Sequence, residues 1–148
     1  MNESVREFLL ETQENLAQLD LDLVKLEKEP TERETLARVF RTLHTVKGTA
    51  GFLGLPKLQE VAHAAENLLS RLRSGEMVFH SGLTTVLLSV VDAIQQMLAS
   101  IETNETEGDG DYRELIHSLE RLIKGSGTAA APKASLPMPT MIGVVTPP

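Results

Sequence analysis

Phe40-Arg41-Thr42-Leu43-His44-Thr45-Val46-Lys47-Gly48-Thr49-Ala50-Gly51-Phe52-Leu53-Gly54 is the stretch on which the reading of this chain turns. Leu36, Val39, Phe40, Leu43, Val46 and Ala50 recur at intervals of three and four, the apolar stripe of an amphipathic helix. Gly48 and Gly51 lie inside that helix, where each costs about 1 kcal/mol relative to Ala. A sequence that keeps both gains something from missing side chains, and close approach by another molecule is a natural reason. On a helical wheel of about 100° per residue, His44 falls about 110° from the centre of the stripe, beside the glycines. It therefore sits at the margin of the core, within reach of solvent.

The same periodicity extends outward in both directions. Val5, Phe8, Leu9, Leu16, Leu19, Leu23 and Leu26 mark a long helix from Ser4 to Glu29, ended by Pro30, after which Thr31 is the expected cap with Glu34 three residues on. A third helix is expected from Pro56, a residue well suited to a first turn, to Ser74-Gly75. A fourth runs from Ser81 to Thr103, and beyond Gly108-Asp109-Gly110-Asp111 a short fifth carries Tyr112, Leu115, Ile116, Leu119, Leu122 and Ile123. With one Tyr, four Phe and no Trp, Leu, Val and Ala must fill the core, which favours helix packing. The fold expected is all-α, an antiparallel four-helix bundle with an additional C-terminal helix.

One domain is expected over 1–124. From Gly125 the composition turns to Gly, Ala, Ser, Thr and Pro, so 125–148 reads as a linker, expected to lead to further domains of a longer protein. The net charge of −7 and pI near 5.1 argue against nucleic acid or an anionic membrane as the main partner. The absence of Cys excludes disulfides and thiolate metal sites. The N-terminus lacks a signal-peptide pattern, and no uninterrupted apolar run approaches the ~18 residues of a membrane span, so the cytoplasm is the default location.

On the third helix, Gln59, His63, Glu66 and Ser70 lie at or beyond the apolar margin, Glu66 about 100° off the stripe in the same rotational sense as His44. His44 and Glu66 are equidistant from Leu55 in the connection, as are Lys47 and His63. An antiparallel hairpin thus sets His44 level with Glu66 and Lys47 level with His63, and four polar groups converge. The chemistry this suits is phosphoryl acceptance. The histidine must be neutral with one accessible nitrogen unprotonated, and a carboxylate on the other N–H fixes tautomer and ring. Glu66 would hold Nδ1–H and leave Nε2 as nucleophile, while Lys47 compensates charge on the phosphoryl oxygens.

Other readings of these residues carry less. Glu60–His63 and Glu114–His117 share the Glu-x-x-His spacing of di-iron bundles, but their wheel positions lie about 140° to 160° from each apolar stripe, so no metal site is expected. Lys47-Gly48-Thr49 has the wrong order for a phosphate loop and no strand before it. His80 and His117 read as surface residues.

The run His44-Thr45-Val46-Lys47-Gly48, continuing to Gly51 and Leu53-Gly54, with His63-Ala64-Ala65-Glu66-Asn67-Leu68-Leu69 and Gly75-Glu76-Met77, resembles a known family. It is similar to the histidine-containing phosphotransfer (HPt) domain at the N-terminus of CheA-type chemotaxis histidine kinases, over about Ser4 to Glu120. The resemblance implies that His44 is phosphorylated by a separate ATP-binding domain of the kinase, which supplies ATP and Mg²⁺. It implies onward transfer to an aspartate of a response-regulator receiver domain such as CheY or CheB, with Lys47, His63 and Glu66 forming the network around His44. Arg41, Gly48 and Gly51 are then expected at the docking face. No bound cofactor and no catalytic activity of the domain alone are expected. The alternatives are an intermediate of another phosphorelay and a helical adaptor without phosphotransfer.

Overall fold

A computed structural model describes residues 2–126 of the chain, so the expected linker lies outside the described residues except for its first two positions. Five helices follow one another: α1 (Glu3–Lys28), α2 (Arg33–Leu53), α3 (Pro56–Ser74), α4 (Ser81–Asn104) and α5 (Arg113–Ser126). The last of them continues two residues past the boundary expected at 124.

Several helix ends have an identifiable cause. The Asn2 side chain accepts the Val5 N–H and starts α1. The cap of α2 is Glu32, and not Thr31 as expected from the sequence. Its carboxylate accepts both the backbone N–H and the hydroxyl of Thr35, which is fully buried and holds that acceptor in place. Gly54 and Gly75 close α2 and α3 in the left-handed conformation, at φ 75° and 85°, where a side chain would be strained. His80 caps α4 through Nδ1, which accepts the Gly82 N–H.

The start of α3 has no side-chain cap of its own, because Leu55 occupies that position and Pro56 follows. Glu107, in the distant connection between α4 and α5, supplies it. Its two carboxylate oxygens accept the N–H groups of Lys57 and Leu58 at 3.0 and 2.9 Å, and Lys57 Nζ returns a bond to the Gly108 carbonyl at 2.9 Å. An anion at a helix N-terminus satisfies orphan donors and complements the dipole together.

The helices pack as a closed ring: α1 against α2 and α4, and α3 against α2 and α4. Leu16, Leu23, Leu26, Leu43, Leu58, Leu68, Leu69, Ile94, Met97 and Leu98 form its centre, all essentially inaccessible to solvent. The fifth helix lies outside the ring against α3 and α4, with Leu119 completely buried. This is the expected four-helix bundle with an added C-terminal helix. One buried charge pins α1 to α2. Asp22, 2% exposed, receives Arg38 Nε at 3.0 Å and Nη2 at 2.8 Å, with Gln18 Nε2 at 3.1 Å.

By length and composition α4 is apolar enough to cross a membrane, with mean hydropathy 1.4. A search for an uninterrupted apolar run overlooks it, because polar residues punctuate the helix. Half of that stretch is buried within the bundle, where Leu83, Leu87, Val90, Ile94, Met97 and Ile101 contribute to the core.

Candidate functional site

The site lies where α2 and α3 run side by side. His44 presents a side chain that is 61% exposed, while Glu66, facing it from α3, is only 7% exposed. Nδ1 of His44 is hydrogen-bonded to Oε2 of Glu66. The other carboxylate oxygen, Oε1, receives Lys47 Nζ at 2.5 Å. Burial pushes the Glu66 carboxyl up, but the hydrogen bonds from Lys47 and His44, reinforced by their charge, outweigh it and hold the group below the usual carboxylate range. An ionised carboxylate only accepts, so the proton of this bond belongs to Nδ1. In a neutral ring that leaves Nε2 unprotonated.

The structure brings together three of the four polar groups that the hairpin register selected. His44 stands opposite Glu66 as expected, but Lys47 reaches to Glu66 instead of His63. His63 is exposed and lines a groove with Ala64, Asn67, Ile116, Glu120 and Ile123, on the side of α3 that meets α5. Counting residues from Leu55 fixed the level along the axis but not which side of α3 each long side chain would take.

The two glycines differ in what lies above them. A Cβ at Gly48 would meet nothing within 4 Å, whereas one at Gly51 would stand 2.7 Å from Nε2 of Gln59. The space over Gly51 is therefore filled from within, by a side chain of α3. The space over Gly48 is open. Arg41 is exposed on the same helix, and Phe52, 84% exposed, ends the face that begins with His44 and Gly48.

Two further residues adjoin the histidine. The rings of Phe40 and His44 are nearly parallel, 11° apart with centroids 6.0 Å from each other. The guanidinium of Arg73, from α3, lies over the Phe40 ring at 4.5 Å. Phe40 was legible only as a member of the apolar stripe. Its position one turn before His44 was the available signal, since residues four apart on a helix are neighbours. Nothing in the sequence singled out Arg73. Among the described residues no group of three or more His, Asp or Glu side chains is placed to hold a metal ion.

A largely exposed histidine, hydrogen-bonded to a buried ionised carboxylate, thus stands on the surface of a helical bundle. The chain belongs to the Hpt domain family, whose model matches residues 3–125. Over 123 residues it is 34% identical to the sensor histidine kinase CheAY of Helicobacter pylori, a match that covers 82% of this chain and 15% of that protein. The chain thus corresponds to a small part of its longer relative. The solution structure of the histidine phosphotransfer domain of CheA superposes with a TM-score of 0.76 at 29% identity, covering 93% of this chain and 99% of that one. The phosphorylated P1 domain of CheA3 from R. sphaeroides, solved in complex with CheY6, shares the fold with a TM-score of 0.74 at 22% identity, covering 84% and 98%. This chain is homologous to the N-terminal phosphotransfer domains of CheA proteins.

Proposed function

We propose that this domain is the phosphocarrier of a chemotaxis-type two-component system. His44 accepts a phosphoryl group from ATP through a separate histidine-kinase ATP-binding domain and passes it to an aspartate of a receiver domain of the CheY or CheB kind. The observation that carries this reading is the pairing of a mostly exposed His44 ring with the buried Glu66 carboxylate. Nε2 attacks the γ-phosphorus in line, the bond to the ADP oxygen breaks, and the proton stays on Nδ1, hydrogen-bonded to Glu66, as the ring becomes charged. On transfer the aspartate oxygen displaces the ring, which returns to neutrality.

The partner supplies ATP, Mg²⁺ and most of the charge stabilisation, as phosphoryl transfer demands. The domain itself contributes positioning: Glu66 orients His44, Lys47 keeps Glu66 ionised, and the open surface over Gly48, flanked by Arg41, receives the partner's face. In this reading the domain belongs to a longer kinase in the cytoplasm, and its acidic surface suits a basic patch on a partner protein rather than nucleic acid or lipid. Support comes from the family and from the R. sphaeroides domain of like fold, which is phosphorylated and bound to CheY6.

Incubation with ATP and a cognate kinase core tests the proposal. Acid-labile, alkali-stable label is expected on the wild-type domain and absent from His44→Gln. Label that persists in the variant overturns the assignment of His44.

A further inference from the structure

We propose that Phe40 and Arg73 are positioning residues for His44: Phe40 sets the plane of the imidazole and Arg73 holds Phe40 in place to do so. The inference rests on His44 being the phosphoryl acceptor and adds a second restraint on its ring.

The covalent tether at Cβ and a hydrogen bond from Nδ1 to Glu66 restrain the imidazole but still let the ring rock about the hydrogen-bond direction through its two side-chain torsions. The Nε2 lone pair lies in the ring plane, so such rocking carries it off the line to the phosphorus. Transfer in line is sensitive to this angle, and orientation is a large share of what a protein contributes to it. Phe40 removes the remaining freedom. Its ring stands one turn before His44 on α2, 11° from parallel with the imidazole at a centroid distance of 6.0 Å, within the usual range for offset aromatic pairs. A hydrogen bond fixes a vector and a stack fixes a plane; together they define where Nε2 points.

Phe40 is itself only half-buried and packs against the core along part of its surface. Arg73 supplies the missing support, its guanidinium lying over the Phe40 ring at 4.5 Å, a cation–π contact. Both hands come from α3. Glu66 takes the ring nitrogen directly, and Arg73, two turns further along, acts through Phe40. An ordinary packing role would explain an apolar residue at position 40, but it explains neither the near-parallel rings nor the cation on the outer one.

The test compares Phe40→Leu, Phe40→Tyr, Arg73→Met and Arg73→Lys with wild type, after thermal melts have shown each to be folded. Two readouts are taken: phosphorylation kinetics with a kinase core, and the order parameter of the His44 ring carbons by NMR relaxation, which needs no phosphoryl donor. Phe40→Leu is expected to lower the ring order parameter and to reduce kcat about three- to tenfold with KM unchanged. Phe40→Tyr restores both. Arg73→Met is expected to shift both in the same direction by a smaller factor, with Arg73→Lys close to wild type. Unchanged ring order in Phe40→Leu overturns the proposal whatever the rate does, since a rate loss alone then reports docking. A change confined to KM in Arg73→Met overturns the part given to Arg73. If wild type takes no label on His44, the phosphocarrier reading fails, and the ring-order measurement still decides whether Phe40 holds the imidazole.

Discussion

Lys47 and Glu66 meet with Nζ 2.5 Å from Oε1, on the carboxylate oxygen that His44 does not use. The lysine thereby acts on the histidine at second hand. Burial alone pushes the Glu66 carboxyl up, and the Lys47 bond is the largest of the contributions that bring it down again. In Lys47→Met, Glu66 should move toward its protonated form and lose its ability to define the His44 tautomer. We expect phosphorylation by a kinase core to slow about tenfold, equivalent to about 1.4 kcal/mol in the barrier. Glu66→Ala should slow it at least as much while the far-ultraviolet circular dichroism spectrum stays helical. Transfer at the wild-type rate in Glu66→Ala would remove the orienting role.

The same carboxylate makes a pH dependence. Its folded pKa is held below its ordinary value of 4.5, so the folded state binds this proton less readily than the unfolded chain. Stability from the cluster is therefore complete above the ordinary value and is lost as pH falls through the lower, folded one. Denaturation of wild type and Glu66→Gln, measured by urea titration between pH 7 and pH 3, should show a stability difference that is constant above about pH 5.5 and shrinks below about pH 4.5. A difference that does not change over that interval would show that Glu66 titrates alike in both states.

Gly48 is where folding and the proposed docking can be tested apart. Its φ is not positive and a Cβ there would touch nothing, so the fold gives no reason for a glycine. Gly48→Ala should stabilise the domain by about 0.5–1 kcal/mol through helix propensity. If the open surface receives a partner, the larger Gly48→Leu should fold equally well yet raise KM for the kinase core or the receiver domain severalfold. Normal kinetics in Gly48→Leu would place the docking face elsewhere.

What the sequence disclosed was whatever follows from periodicity and axial level. The stripes from Leu16 to Leu26 and from Leu83 to Ile101 needed only the helical repeat to be assigned to a core, and Pro30, Gly54 and Gly75 announced their breaks by backbone chemistry. His44 and Glu66 were paired by equal distance from Leu55, because a hairpin's register is a matter of counting. The direction of a long side chain is not. Lys47 turns toward Glu66, and His63 lies on the side of α3 that meets α5, the last of the described helices. The cap at Glu32 was missed for a related reason: Thr31 and Glu32 are both able to accept, and the burial of Thr35, a tertiary fact, decides between them. Arg73 needed the three-dimensional neighbour Phe40 before it meant anything.

Asp22 and Arg38 provide a control outside the site. Arg38→Met should leave the buried Asp22 carboxylate with Gln18 as its remaining partner, at a cost of about 2 kcal/mol, since the lost bonds are charge-assisted. Arg38 is about one-third exposed, which places the cost below that of a fully buried pair. Labelling of His44 should persist at temperatures where the variant remains folded. The measurement is the urea midpoint beside the labelling rate.

Glu107 tests whether the fifth helix matters to the site or only to the fold. Its carboxylate is the cap that α3 lacks, and α3 carries both Glu66 and Arg73. Glu107→Ala leaves the Lys57 and Leu58 N–H groups without acceptors and should destabilise the domain by about 1 kcal/mol, the usual worth of a lost N-cap. The loosening should be local, because unsatisfied donors fray the first turn of a helix before they disturb its middle. Hydrogen exchange is therefore expected to quicken at Lys57 and Leu58 and to stay slow around Glu66, with the rate of His44 phosphorylation within about twofold of wild type. If exchange instead quickens along the whole of α3 and the phosphorylation rate falls with it, then the α4–α5 connection governs the order of the helix that orients the histidine, and α5 is part of the phosphoryl-acceptor apparatus.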